Sequence, residues 1–272
     1  MILIVASRKD IASINVRQQL LANYDFREEA RKFHNNTTYH TIVGPYDVKL
    51  VTIKECAIHY QNITDHFHPK IIIYISRHSS KSGIPTLSVH TPGNLTQVQK
   101  GGRSRKISIA PANAMREALW EMVRQKRRLG LDYQVSYECT HHGPSLNVPA
   151  MFVELGSSPT QWEDIKAAEA LAHSIMALIS KRPRYSRVAV GIGGPHYSSK
   201  FTRMALDDSF AFGHLIPKYA VSEVDAEIIK QCVERTLEKV EVVVLDWKGI
   251  RGGDKSRVSF ILEKIGVKIQ KV

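Results

Sequence analysis

The chain has 272 residues, 43% of them hydrophobic and 24% charged, as expected for a soluble globular protein with one large domain or two smaller lobes. It contains no apolar stretch that could cross a bilayer, no signal-peptide pattern at its start and no disulfide framework, because its three cysteines are widely spaced. A cytoplasmic protein without a membrane partner is therefore expected. The formal net charge of +12 favours a polyanionic partner such as nucleic acid.

Short apolar runs rich in β-branched residues predict the strands. The clearest runs are Ile2–Ala6, Val48–Ile53, Ile71–Ile75, Val188–Ile192 and Val242–Leu245. Unbroken apolar strands are typical of sheets that are buried on both faces. Tyr39–Val43 and Tyr133–Cys139 are weaker candidates, and the Gly44-Pro45 turn before Val48 indicates a hairpin. The predicted sheet is therefore mixed.

Amphipathic segments alternate with these strands and predict five helices. The clearest is Pro111–Leu129, which has proline near its start and glycine just past its end. Thr160 and Glu163 are expected to form a capping box for the helix that follows. The remaining three helices are predicted at Asp10–Leu21, Ser222–Glu238 and Asp254–Ile265. The alternation predicts a three-layer α/β/α arrangement with a mixed central sheet, and residues 1–272 are expected to form one unit of two closely packed lobes.

Positive charge is concentrated in four groups close to glycine or proline turns. Their members are Arg103, Arg105 and Lys106; Arg124, Lys126, Arg127 and Arg128; Lys181, Arg182, Arg184 and Arg187; and Lys248, Arg251, Lys255 and Arg257. Cations in a last helical turn complement the helix dipole, which can account for the second group. Four such groups exceed what helix capping requires and indicate a surface for a polyanion.

The run Glu138-Cys139-Thr140-His141-His142-Gly143-Pro144 is the first cluster with chemical potential. It places a carboxylate, a thiol and two imidazoles where a strand is expected to end. One imidazole together with Glu138 could bind a metal or act in acid–base catalysis, and the alternative is a hydrogen-bonded polar cluster that caps the strand. Cys139 could act as a nucleophile with a histidine base, although a buried and inert thiol is the commoner role.

A second cluster, Gly191–Ser198, follows another predicted strand. The backbone N–H groups around Gly193 and Gly194 could converge on a phosphate or on a developing oxyanion, with His196 beside them. The alternative is an ordinary tight glycine turn. Neither a dinucleotide-binding fingerprint nor a Walker A loop is matched.

Further candidates lie upstream, where His78 and His90 each follow a predicted strand. Glu154 is flanked by apolar residues before a turn, so we expect it to be buried and paired. Together with the histidines of the two clusters, these residues predict a multi-histidine site at the ends of several strands. His34, His40, His59, His66 and His68 are expected at the surface, His173 in a packing or solvent role, and His214 near enough to reach the site.

Five motifs occur in order along the chain. They are SRHSS at Ser76–Ser80, HTPGN at His90–Asn94, ECTHHGP at Glu138–Pro144, FVELGSS at Phe152–Ser158 and GIGGPHYS at Gly191–Ser198. Each motif is weak alone, but together they resemble the D-aminoacyl-tRNA deacylases of archaea and plants over essentially the whole chain.

This resemblance implies a fold similar to peptidyl-tRNA hydrolases and phosphorylase-like α/β proteins, with an added smaller lobe. It implies hydrolysis of the ester that joins a D-amino acid to the 3′ end of tRNA, and one or two bound zinc ions per chain. Aminoacylated tRNA would be the partner, and its phosphates would meet the basic groups. No stable protein partner is indicated, and a monomer is expected.

Within this hypothesis each candidate residue has an expected role. The residues expected to act in catalysis are Glu138, His141, His142 and His196. The residues expected to bind metal are His78, His142 and Glu154. The residues expected to bind substrate are Ser79, Asn94, Arg103, Arg105, Gly193 and Gly194.

Three rival hypotheses remain open from the sequence alone. A metal-dependent peptidase or amidohydrolase would act on peptides and would not depend on RNA. A non-catalytic tRNA-binding protein would bind tRNA in a salt-dependent way without turnover. A nucleoside phosphorylase would require phosphate and release a base. The strand-end histidines count against the second hypothesis, and the basic groups count mildly against the first.

Overall fold

The computed structural model describes residues 1–98, 100–181, 186–207 and 210–272. Within these residues the strands are β1 (Ile2–Ser7), β2 (Arg27–Phe33), β3 (Asn36–Val43), β4 (Tyr46–Ile53), β5 (Ile71–Arg77), β6 (Thr86–His90), β7 (Gly93–Asn94), β8 (Lys106–Ile107), β9 (Gln134–Tyr137), β10 (Ala150–Gly156), β11 (Arg187–Ile192), β12 (Phe210–Ile216), β13 (Val242–Leu245) and β14 (Lys268–Lys271). The α-helices are α1 (Ile11–Asn23), α2 (Ala112–Leu129), α3 (Pro159–Trp162), α4 (Ile165–Ser180), α5 (Ser199–Leu206), α6 (Ala226–Glu234) and α7 (Gly252–Ile265).

The larger sheet has eight strands in the order β2-β3-β4-β1-β5-β10-β6-β9. The neighbours β4, β1, β5 and β10 run parallel, whereas β2, β3 and β4 form an antiparallel meander. The hairpin predicted at Gly44-Pro45 is present, because Val43 pairs with Tyr46 across it. β6 runs antiparallel to β10, and β9 runs parallel to β6. The mixed α/β sheet predicted from the sequence is confirmed.

The two faces of the larger sheet are covered differently. Helices α1, α2 and α4 pack on one face, where Val89 of β6 and Val153 of β10 belong to the main core. The opposite face carries a smaller apolar cluster that includes Tyr74 and Phe152, and the short 3₁₀ turn Ala57–His59 contributes to it. Side chains alternate along a strand, so Glu154 and His90 point to this second face. Because β6 runs antiparallel to β10, His90 at the end of β6 and Glu154 in β10 lie on the same face of the sheet.

The smaller sheet has four parallel strands in the order β12-β11-β13-β14. One of its faces packs on α2 through Phe212 and Val242, which belong to the same core as the helices of the larger sheet. Its other face is covered by α6 and α7, with Ile228 and Val258 fully buried. Helix α2 therefore lies between the two sheets and contacts both.

Several helix boundaries differ from the sequence prediction for local reasons. The capping box is formed by Ser158 and Gln161, not by Thr160 and Glu163, and it begins the short helix α3. Helix α4 has its own N-cap, Asp164. The helix predicted from Ser222 begins only after the N-cap Asp225, whose side chain accepts from the backbone N–H of Ile228.

Six strands were not predicted, namely β2, β7, β8, β10, β12 and β14. β2 is charged along its length and lies at the sheet edge, β7 and β8 have two residues each, and the buried runs of β10 and β12 are interrupted by Glu154 and by Gly213 and His214. Part of the third basic group, Arg182 and Arg184, falls outside the described residues. Among the described helices, none has the length and apolar character needed to span a membrane. The division of residues 1–272 into two lobes of one unit stays a prediction.

Candidate active site

A buried carboxylate, Glu138, lies at the centre of the site. It follows β9 directly, and its Oε2 accepts hydrogen bonds from His78 Nδ1 and His196 Nε2, each at 3.0 Å. Its Oε1 accepts from the Ser88 hydroxyl. Burial raises the pKa of this carboxyl, but the hydrogen bonds from His196 and His78 outweigh burial and hold the pKa well below its usual range. Glu138 is therefore a fixed negative charge that orients two imidazoles.

His78, immediately after β5, carries the complementary positive charge. Its Nδ1 lies 3.4 Å from Glu154 Oε2 as well as 3.0 Å from Glu138, and its Nε2 is hydrogen-bonded to the Tyr197 hydroxyl. Its backbone carbonyl accepts from Trp162 Nε1 at 2.7 Å. Burial lowers the pKa of this imidazole, but the hydrogen bonds to the two carboxylates raise it to about 11. At neutral pH His78 is a cation between two carboxylates.

Glu154 differs from Glu138 in its protonation. It lies in β10, paired across the sheet with Ser76 of β5 and Ser88 of β6, and only 2% of its surface is exposed. Burial raises the pKa of this carboxyl to about 7, although the hydrogen bond with His78 lowers it in part. A carboxyl group that titrates near neutral pH can both accept and release a proton under physiological conditions. Since Glu154 lines the cavity, it meets the requirement for an acid–base group.

A group of three neutral histidines lies next to this network. The Nδ1 of His141 donates to the Cys139 carbonyl at 2.8 Å, and the Nδ1 of His142 donates to the Gly143 carbonyl at 2.7 Å. Both Nε2 atoms therefore keep their lone pairs, and the Nε2 of His142 lies 3.3 Å from that of His90. Burial lowers the pKa of all three rings, to about 4 for His142 and well below the ordinary value for His90 and His141.

The described part of the chain contains three groups of potential metal ligands, and within each group the ligand atoms lie within 4.8 Å of one another. These groups are His90, His141 and His142; Cys139, His141 and His196; and His78, Glu138 and Glu154. The first group fits zinc best, because its three rings are neutral and the Nδ1–H groups of His141 and His142 donate to backbone carbonyls, as in typical zinc ligands, whereas the buried Nδ1 of His90 has no hydrogen-bond partner among the described residues. The third group is less suited to a metal ion, because His78 is protonated and its Nδ1 contacts both Glu138 and Glu154.

His196 approaches from the smaller sheet, in the loop after β11. The Sγ of Cys139 lies 3.0 Å from its Nδ1 and 3.3 Å from the Tyr219 hydroxyl. Burial lowers the pKa of His196, but the hydrogen bonds to Cys139 and Glu138 raise it to about 10. Cys139 itself is fully buried. Since no substrate carbonyl can reach a fully buried thiol, the geometry does not support Cys139 as a nucleophile.

Part of this network opens onto a cavity of about 640 Å³, a size usual for a small-molecule site, while Glu138, His90 and Cys139 lie buried behind its wall. Its wall includes Glu154 and the imidazoles of His78, His141, His142 and His196. The residues that complete the wall around them include Asp10, Ser79, Asn94, Lys100, Trp162 and Tyr219. The cavity thus joins acid–base groups, a metal-competent histidine group, a cation and aromatic side chains.

The cavity brings together most, though not all, of the residues proposed from the sequence. The predicted metal set of His78, His142 and Glu154 does not form one ligand group, because His78 and Glu154 pair with each other and His142 groups with His90 and His141. Ser79 and Asn94 line the cavity as expected.

The residues predicted to bind anionic parts of the substrate lie apart from the cavity. Gly193 and Gly194 are absent from the cavity wall formed by the described residues, and the N–H of Gly193 donates to the Ile216 carbonyl within the smaller sheet. The side chain of Arg105 pairs with Asp225 at 2.6 Å, and Arg103 likewise lies off that wall. These four residues lie outside the cavity wall, and their role in binding substrate stays a prediction. His214 is fully buried and hydrogen-bonds to Thr140 behind the site.

Some residues of the site were missed. His90 was predicted as part of the multi-histidine site but without a specific role, and its ring nitrogens lie with those of His141 and His142 in one potential ligand group. Tyr197 directly follows His196, and its contact with His78 depends on how the two sheets meet. Trp162 and Tyr219 carry no sequence signal beyond their aromatic character. Of the surface assignments, His59, His66 and His68 are exposed, while His34 and His40 are half-buried.

The carboxylates and imidazoles around the cavity are groups that can move protons to and from a bound substrate, as acid–base catalysis requires. A sequence model of the family described as D-aminoacyl-tRNA deacylase matches residues 65–270. This protein belongs to that family, as the five motifs predicted, and it is therefore an enzyme of the hydrolase class.

The relatives agree with this assignment along nearly the whole chain. A D-aminoacyl-tRNA deacylase of Thermococcus onnurineus is 37% identical over 272 residues, covering 97% of both chains. One of Pyrococcus furiosus is 36% identical over 275 residues, covering 98% of both. A crystal structure titled as a conserved protein of unknown function, AF0625, matches 100% of this chain and 95% of its own, with a TM-score of 0.87 and 28% identity.

Proposed function

We propose that this protein hydrolyses the ester between a D-amino acid and the 3′ end of tRNA, and that the reaction takes place in the cavity beside Glu138. The observation that carries the proposal is that His78 contacts two different carboxyls, Glu138, whose pKa is held well below its usual range, and Glu154, whose pKa is raised to about 7. Two carboxyls held at different pKa values by their surroundings are typical of acid–base sites. The names of the relatives supply the substrate class.

Glu154 is proposed to be the general base. It lies in the cavity wall, and a pKa of about 7 lets it accept a proton from a water molecule that attacks the ester carbonyl. His78 stays protonated between Glu138 and Glu154, so it holds the orientation of both carboxylates during the proton transfer. An aminoacyl ester is an activated acyl group, and a positioned water molecule with a base and an oxyanion stabiliser suffices for its hydrolysis.

His196 is proposed to stabilise the oxyanion. It is protonated at neutral pH because its pKa is raised to about 10, and it faces the cavity. Its Nδ1 lies 3.1 Å from the Tyr219 hydroxyl, which keeps the ring in place. Both N–H groups of the ring are engaged, one by Glu138 and the other by Cys139 and Tyr219. His196 would therefore act through its positive charge, which favours the negative charge that develops on the carbonyl oxygen in the transition state.

His90, His141 and His142 would hold zinc in this proposal. When bound there, zinc would supply Lewis acidity and lower the pKa of a coordinated water. The residues of the chain contribute neutral rings and fixed tautomers, since backbone carbonyls accept the Nδ1–H of His141 and His142. Asn94 and Trp162 would contact the terminal nucleoside, which is recognised in single-stranded RNA through hydrogen bonds and aromatic stacking.

The test compares hydrolysis of D-tyrosyl-tRNA and L-tyrosyl-tRNA by the wild type, Glu138→Gln and Glu169→Gln. The wild type is expected to release only D-tyrosine. Glu138→Gln should lower kcat at least about 100-fold, because His78 and His196 lose their charged partner. Glu169→Gln is the matched control, since Glu169 pairs with Arg128 on the exposed side of α4. If the zinc-loaded wild type hydrolysed neither ester, the proposal would be contradicted.

A further inference from the structure

A cluster of cations surrounds one indole on the smaller sheet. The Nζ of Lys255 lies 4.8 Å and the Nζ of Lys271 lies 4.0 Å from the centre of the Trp247 ring, and Lys248 is exposed beside it. We call Trp247, Lys248, Lys255 and Lys271 the edge patch. Because both distances are measured to the same ring centre, the two ammonium groups are no farther apart than the sum of these distances, and the ring attracts each of them. Such a pair of cations is suited to an anion that can contact both.

The edge patch lies on the same side of the smaller sheet as the cavity. The four strands of this sheet are parallel, so the residues that follow β11, β12, β13 and β14 all emerge at one edge. Trp247 follows β13, and Lys271 ends β14. His196 follows β11, and Tyr219 follows β12, and both line the cavity. The topology therefore places the basic patch and the cavity mouth along a common edge.

Direct contacts connect the edge patch to the loop that carries His196 at the cavity wall. The carbonyl of Gly194, two residues before His196, accepts from the backbone N–H of Lys218 at 2.8 Å. A Cβ added to Gly249, in the turn that carries Trp247, would lie only 2.7 Å from the backbone nitrogen of Gly194, so the two turns touch. Lys218 is exposed. Two residues of extended chain span at most about 7 Å, so the patch begins close to the cavity wall.

The acidic side chains beside the edge patch already have cationic partners. Asp246 Oδ1 lies 2.5 Å from Lys200 Nζ, and Asp254 Oδ1 lies 3.3 Å from an Arg257 nitrogen. These two carboxylates are therefore compensated by Lys200 and Arg257 and not by the lysines of the patch. The remaining positive charge at the edge faces solvent and favours a polyanion.

We propose that the edge patch binds the phosphate backbone of the tRNA acceptor arm as the arm leaves the cavity. The inference rests on the proposed function, because the 3′ end must lie beside Glu138 for the arm to leave along this edge. Lys218 lies between the cavity mouth and the patch, and Lys255 and Lys271 contact phosphates further along the arm. Such contacts hold the RNA in register and carry no sequence preference.

The test compares two double variants with the same change in charge. Lys255→Glu/Lys271→Glu alters the edge patch. Lys239→Glu/Lys268→Glu alters two exposed lysines at the opposite end of the same sheet, before β13 and at the start of β14. Binding of uncharged tRNA is measured by fluorescence anisotropy between 50 and 300 mM salt, and hydrolysis is measured with D-tyrosyl-tRNA and with the small ester 3′-O-D-tyrosyl-adenosine.

The edge variant is expected to bind tRNA at least about tenfold more weakly, and the slope of log affinity against log salt should fall by about 1.5, as for the loss of two phosphate contacts. Its KM for D-tyrosyl-tRNA should rise while turnover of the small ester stays at the wild-type level. The opposite-end variant should match the wild type. Equal tRNA affinity and salt slope for the two variants would overturn the inference.

The two proposals fail in different ways. If the wild type hydrolyses neither D-ester, the proposed reaction is wrong, whereas the tRNA-binding measurement still decides whether the edge patch holds RNA. If both variants hydrolyse D-tyrosyl-tRNA like the wild type, the reaction stands and the edge patch is excluded. A Lys255→Gln/Lys271→Gln variant should show a smaller loss of tRNA affinity in the same direction, since it removes charge without reversing it.

Discussion

Glu138 and Glu154 are chemically identical side chains that their neighbours make different. Glu138 accepts from two imidazoles and a hydroxyl, so it stays charged, whereas Glu154 shares the single cation His78 and is destabilised by burial. The sequence indicated that Glu154 would be buried and paired and that Glu138 would act in catalysis or metal binding. It could not rank their pKa values, because the ranking depends on which imidazoles from other strands approach each carboxylate.

The pH dependence of turnover follows from the raised pKa of Glu154. The group acts as a base, so its active form is the carboxylate, and kcat should rise about tenfold per pH unit below pH 7 and level off above it. The measurement is single-turnover hydrolysis of D-tyrosyl-tRNA between pH 5.5 and 8.5, corrected for spontaneous hydrolysis.

Two variants control this prediction. Glu154→Gln should remove the inflection near pH 7 together with most of the activity. Glu169→Gln, which changes a half-buried carboxylate on α4 outside the cavity wall, should keep the wild-type profile. A wild-type rate that does not change between pH 5.5 and 7 would show that Glu154 is not the base.

At the scale of secondary structure, Asp164 shows how one side chain sets both a boundary and a contact. Its Oδ1 accepts from the Ala167 backbone N–H at 3.1 Å as the N-cap of α4, and its Oδ2 accepts from the Tyr133 hydroxyl at 2.9 Å. The sequence placed the helix start four residues too early, at Thr160. Apolar periodicity located the helix, but the cap was decided by which side chain could also reach Tyr133.

Replacing this N-cap should destabilise the fold. Asp164→Ala is expected to lower the free energy of unfolding by about 1–2 kcal/mol, since one helix N–H and the Tyr133 hydroxyl lose their acceptor. Asp164→Asn retains an acceptor oxygen and should lose less than half as much. Urea unfolding followed by circular dichroism measures both, and equal losses for the two variants would show that the cap itself contributes little.

At the scale of the whole molecule, α2 joins the two sheets. Leu119 is fully buried in the core that contains residues of both the larger sheet and β12. We therefore predict that the two sheets unfold together. Single-tryptophan variants make this measurable, because Trp162 reports on the cavity side of the larger sheet and Trp247 reports on the smaller sheet.

Chemical unfolding followed through Trp162 alone and through Trp247 alone should give the same midpoint. Leu119→Ala should lower both midpoints equally, with a loss of about 2–5 kcal/mol. Separate midpoints, or a shift at only one tryptophan, would show that the lobes are independent units. The prediction that residues 1–272 form one unit is decided by this comparison.

The sequence by itself determined the α/β class, most of the apolar strands, the helices with clear amphipathic patterns and the family, because each depends on local periodicity or on short motifs. It also singled out His78, Glu138, His141, His142, Glu154 and His196. Only the tertiary structure decided how these residues divide into an acid–base network and a histidine group that includes His90. The reason is that β6 runs antiparallel to β10 and the loop after β11 comes from another sheet, and neither pairing is encoded in the neighbouring sequence.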